Sequence, residues 1–143
     1  MSRDIRIIFA AACLLVLGAH GAAAQDYKVI VNSANATTDI SSDALGKIFL
    51  KQVSKFPDGA AATPVEPAKA SPARAAFAKA VLGRSVQNLE SFWQQQIFSG
   101  KDVPPPNKAT DDDVVAFVKS NPGAIGYVSG AAAVAGVKVV TVK

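Results

Sequence analysis

The sequence predicts one α/β domain, a three-layer sandwich in which a mixed sheet is covered by helices. Three observations carry that reading. Tyr27–Val31 and Val137–Val142 are β-branched runs of strand length. Between them, apolar residues recur at helical spacing in four stretches, each opened by a serine or threonine. Finally, Asn121 to Val128 reads as a helix stop running directly into a buried strand. Pro122 cannot extend the helix that Val114, Phe117 and Val118 predict, and Gly123 can take the positive φ of a chain reversal. Ile125 and Tyr127 alternate with Gly126, so one face of that strand is bulky and the other bare. A bare face admits a packed helix or a ligand, and helix packing is the simpler account.

The N-terminus has the pattern of an export signal. Arg3 and Arg6 precede an apolar run from Ile7 to Gly18, and Ala22-Ala23-Ala24 offers an A-x-A cleavage site before Gln25. The run is short for a retained membrane anchor, and Gly18, His20 and Gly21 interrupt its end. Cys13 lies inside the run, a poor position for lipid attachment. The expectation is a signal peptide over residues 1–24, and a single exported domain over 25–143. Removal of the signal takes away Cys13 and His20, the only cysteine and the only histidine. That excludes disulfides, cysteine-dependent catalysis and the usual zinc sites, and no other catalytic arrangement stands out, so neither an enzyme nor a cofactor is expected. The formal charge of the whole chain is only +4, its lysines are scattered, and no nucleic-acid partner is expected.

The elements follow in order. Tyr27–Val31 is the first strand, and small polar residues from Asn32 to Thr38 form a loop. Ser41 or Ser42 caps a helix with Asp43 in its first turn and Leu45, Ile48 and Phe49 on one face. Phe56-Pro57-Asp58-Gly59 is a turn. The prolines of Thr63-Pro64-Val65-Glu66-Pro67 allow an edge strand at most. Ser71 is a natural N-cap and Pro72 a natural first residue for a helix over 72–82. Its stripe is Ala73, Ala76, Phe77, Ala80 and Val81, and Gly83 ends it. Ser85 caps a third helix with Val86, Leu89, Trp93 and Ile97 on its packing face. Pro104-Pro105-Pro106 forces an irregular connection. Thr110 opens the fourth helix. Asp111, Asp112 and Asp113 oppose the positive end of its dipole, which accounts for them better than a metal site, because consecutive helical side chains diverge. A small-residue patch from Gly130 to Gly136 precedes the last strand. Phe49, Phe77, Trp93, Phe117, Ile125 and Tyr127 are the expected core.

Several pieces, in this order, resemble the phosphate-binding proteins of ABC transporters, which have the class-II periplasmic binding-protein fold. They are Val29-Ile30-Val31-Asn32, Ser42-Asp43-Ala44-Leu45 with Ile48-Phe49-Leu50, and Phe56-Pro57-Asp58-Gly59. Ser71 with Phe77, Phe92-Trp93, and Gly123-Ala124-Ile125-Gly126-Tyr127-Val128 complete the set. The resemblance covers most of residues 25–143 and implies the fold of one lobe of such a protein, with no counterpart to the second lobe. Where the family has Ser-Gly-Thr opening its ligand-binding helix, this chain has Ser71-Pro72-Ala73, which keeps one hydroxyl and loses the other. Pro72 has no N–H for an anion. The family's arginine shortly before that serine is also missing, with Pro67, Ala68 and Lys69 in its region.

The resemblance implies a periplasmic solute-binding protein of phosphate ABC transporter type, binding phosphate or a similar oxyanion without catalysis. Ser71 would donate its hydroxyl, and Arg74 or Lys69 would supply charge. Its partner would be a transporter permease. The alternative is a one-lobed periplasmic module that docks a partner protein and binds no solute, with Ser71 a simple cap and Lys69 and Arg74 solvated. A lone lobe leaves an anion half in water, so tight binding calls for a second surface, from a homodimer or a partner.

Overall fold

The structure is a computed structural model that describes residues 26–143. The expected signal peptide, with Cys13 and His20, lies outside the described residues. The strands are β1 (Tyr27–Asn32), β2 (Asp39–Ile40), β3 (Thr63–Val65), β4 (Ala124–Ser129) and β5 (Val137–Val142). The α-helices are α1 (Ser42–Phe49), α2 (Pro72–Phe77), α3 (Val86–Phe98) and α4 (Asp111–Ser120). A π-helical segment, Ala78–Leu82, continues α2.

The five strands form one mixed sheet in the order β2-β5-β1-β4-β3. The central β1 runs antiparallel to both β4 and β5, whereas β2 pairs parallel with β5 and β3 parallel with β4. The two-residue β2 falls where no strand was expected. Two residues give no periodicity to read, and its place depends on β5 from the far end of the chain. Pro64 is tolerated because β3 is an edge strand with a single strand neighbour.

Alternation in β4 divides the core. Ile125 and Tyr127 face α1 and α2, where Val29, Val31, Leu45, Ile48, Phe49, Phe56 and Phe77 complete a cluster. Gly126 faces the other way. A Cβ on it would lie 2.8 Å from a Val65 methyl and 3.0 Å from a Val114 methyl. The bare face is therefore filled by α4, whose Val114 and Val118 pack with Ile30, Val65, Ala124 and Val128. The layers are helices α1 to α3, the sheet, and α4, the three-layer sandwich that the sequence predicts.

Local chemistry sets most helix ends. Ser41, Ser85 and Thr110 accept from the backbone N–H of Ala44, Asn88 and Asp113. Asp111, Asp112 and Asp113 occupy the first turn of α4. At the far end of α4, Asn121 is held extended ahead of Pro122. The carbonyls freed there are taken by side chains: Asn32 Nδ2 donates to Val118 O and Lys119 O, and Asn121 Nδ2 to Phe117 O.

Four expectations need correction. Ala80 is exposed, because the π-helical turn changes the angle per residue and moves Ala78 into the core instead. Ile97 is 52% exposed, since α3 packs through Leu89 and Trp93 and its last turn runs past the body of the domain. Phe117 is only partly buried, with its ring under the Lys108 ammonium at 4.9 Å. Gly123 does not have a positive φ. It is required because a Cβ there would meet Ala61 O at 2.8 Å.

Candidate functional site

The residues expected to bind an anion lie where the chain leaves the sheet edge and enters α2. Backbone pairing fixes the approach: Glu66 N donates to Pro106 O and Lys108 N donates to Glu66 O, so the proline-rich connection zips onto the end of β3. Pro67 to Ala70 then turns, with Ser71 N donating to Ala68 O. Pro72 starts the helix with its φ already set.

Ser71 sits at the N-cap position of α2, half-buried, with extended backbone. Its hydroxyl makes no capping hydrogen bond, in contrast to the caps of the other three α-helices. Lys69 is exposed, and its Nζ lies 3.9 Å from Glu90 Oε1 on α3, a loose ion pair at the surface.

Arg74 is placed differently from a solvated or ligand-facing cation. It is 2% exposed, and its Nη1 donates to Glu66 Oε2 at 2.6 Å. Glu66 is 1% exposed. Burial pushes its carboxyl above the usual range, while the Arg74 charge and hydrogen bond pull the other way. Tyr127, on the neighbouring strand, has its hydroxyl pushed well above the usual phenol range by burial and by the Glu66 charge. Ser71 and Lys69 therefore stand two residues apart at the start of α2, with Lys69 turned to Glu90, while Arg74 is held in a matched buried pair. Glu66 was not singled out in the sequence. An acidic residue flanked by Val65 and Pro67 at the end of an apolar strand is the one local sign that it needs a partner.

Beside this turn, residues of α2, α3 and the proline-rich connection line an open cavity of about 120 Å³. Its walls include Glu66, Lys69, Arg74, Glu90, Trp93 and Asn107. Ser71 is not part of them. Among the described residues, Arg74 Nε and Trp93 Nε1 are buried with no hydrogen-bond acceptor. No group of three or more His, Cys, Asp or Glu side chains there is arranged to hold a metal. No helix among the described residues is long and apolar enough to cross a membrane.

No protein-family profile and no curated protein matches the chain. Solved structures do match. One is assigned as a phosphate ABC transporter substrate-binding protein, with bound phosphate, from Clostridium perfringens. It is 20% identical with a TM-score of 0.64, over 82% of this chain and 44% of that one. An ABC-type phosphate transport receptor from Vibrio cholerae is 17% identical with a TM-score of 0.60, over 82% and 46%. PstS from Borrelia burgdorferi is 13% identical with a TM-score of 0.57, over 82% and 47%. This chain thus spans less than half the length of each protein. At these identities the likeness is one of fold, and the fold of residues 26–143 is that of one lobe of a phosphate ABC transporter substrate-binding protein.

Proposed function

We propose that the protein is a periplasmic solute-binding protein of phosphate ABC transporter type, exported with Met1–Ala24 removed, that binds phosphate or a similar oxyanion without catalysis. The observation that carries this reading is the uncommitted Ser71 hydroxyl at the start of α2, beside the exposed Lys69, on a lobe of phosphate-binding fold. Ser71 donates its O–H to the anion and Lys69 supplies the countercharge. Arg74 contributes through its position rather than as a free cation, because Glu66 already takes its charge.

Binding by this surface alone is weak. Pro72 brings no N–H, Lys69 is screened by water, and one side of the anion stays wet. A homodimer, a transporter permease or another periplasmic partner supplies the second surface when binding is tight. Titration calorimetry of the purified protein with inorganic phosphate tests this. We expect weak saturable binding, reduced by Ser71→Ala and by Lys69→Ala. Binding that both variants retain unchanged sinks the location, and no binding at millimolar phosphate sinks the ligand.

A second reading is a module that docks a periplasmic partner protein and binds no solute. The end of α3 favours it: Phe98 is 93% exposed, with Ile97 at 52% and, on the following connection, Val103 at 56%. A protein that ignores phosphate, yet loses a partner on Phe98→Ser, fits this reading and not the first.

A further inference from the structure

Helix α3 presents a knob and a hole on its outer side. The knob is Phe98, 93% exposed, with Ile97 at 52% beside it. The hole is the open cavity, whose α3 wall is made by Glu90, Trp93, Gln94 and Ile97. Phe98 stands eight residues beyond Glu90, about 12 Å of helix rise.

Charge decides which partner such a face suits. Among the 13 residues of α3 only Glu90 is charged, and Lys69 already lies 3.9 Å from it. Gln94 and Gln95, both exposed, flank Phe98 one turn back. A partner of strong charge finds no opposite charge here to recognise. A second copy of the chain needs none. Across a two-fold axis a patch faces itself, so a charged row repels its copy and a neutral row does not. An amide both donates and accepts, so a glutamine at the axis pairs with its own copy.

The spacing fits the same partner. Gln94 lies midway between Glu90 and Phe98. Two α3 helices laid antiparallel, with Gln94 at the axis, set Phe98 of each against the Glu90 end of the other, at the mouth of its cavity. The cavity, at about 120 Å³, approaches the ~150 Å³ that holds a benzene ring. Ile97 and Pro104 give it apolar wall, and Lys69 offers an ammonium to an aromatic face.

We propose that the protein forms a two-fold homodimer through this face, each copy seating its Phe98 in the cavity of the other. The contact does not rest on the oxyanion reading.

Sedimentation equilibrium of the purified protein, in phosphate-free buffer from about 5 to 500 µM, tests this. We expect a reversible monomer–dimer equilibrium with a Kd on the order of 10–100 µM, as suits a small contact. Phe98→Ser removes the knob at a position exposed enough to leave the fold intact, and should weaken the dimer at least roughly tenfold. Gln94→Lys and Gln94→Glu should each weaken it alone. An equimolar mixture of those two variants should dimerise more tightly than either, because the axis sets opposite charges side by side. A monomer across the whole range overturns the proposal, including one that captures a different protein through Phe98. So does a dimer that Phe98→Ser leaves unchanged, or a mixture no tighter than its components. The oxyanion reading fails separately, in phosphate calorimetry, since this dimer is measured without phosphate.

Discussion

Arg74 Nη1 donates to Glu66 Oε2 at 2.6 Å, and both side chains are sealed from solvent. The pair links the end of β3 to the first turn of α2, so it fixes the turn that carries Lys69 and Ser71. Removing one partner strands the other charge in a low-dielectric interior. Arg74→Ala should therefore cost about 3–5 kcal/mol, whereas the double replacement Glu66→Leu/Arg74→Met should cost much less. Urea unfolding of the single and double variants measures the coupling. Strictly additive costs would show that the two groups do not act as a pair. One consequence is that Arg74→Ala is a poor probe of ligand binding, because it perturbs the fold itself.

Phe77 joins α2 to the sheet. Its ring stacks on Tyr127 with centroids 3.9 Å apart, and Phe49 and Tyr27 meet it edge-on. It is fully buried. Phe77→Ala should lose about 3–5 kcal/mol of stability in urea. Phe117→Ala, at a partly buried position, should lose clearly less. Equal losses would contradict the packing described for the two rings.

Gly126 is the point of closest approach between β4 and α4. Gly126→Ala places a methyl against Val65 and Val114, and overpacking of this kind costs about 1–3 kcal/mol. Adding Val114→Ala should recover part of that loss, because it opens space on the same side. A neutral Gly126→Ala would mean that α4 is not seated on that face.

Export is tested by mass spectrometry of protein from the periplasmic fraction. The expected N-terminus is Gln25, following removal of the apolar segment and its A-x-A site. An intact N-terminus recovered only from membranes would defeat the expectation.

The parts of this protein that the sequence determined are those set by neighbours within a few residues. Ser41, Ser85 and Thr110 mark helix starts because a hydroxyl reaches amides only three positions on. Pro122 ends α4 and Gly83 ends the π-helical segment through backbone geometry of their own. The alternation of Ile125, Gly126 and Tyr127 showed that β4 has two unlike faces, and the order of such pieces pointed to the lobe fold. Tertiary structure decided what fills each face. Only folding brings Val65 and Val114 over Gly126, or carries Asn32 to the carbonyls at the end of α4. At the candidate site, the sequence placed Ser71 at the mouth of a helix and could not reveal that Arg74 is already matched. Whether a charge is free depends on what encloses it. Glu66 stands only eight residues before Arg74, but it is its burial at the end of β3, beneath the connection from Pro106 to Lys108, that makes the two a pair.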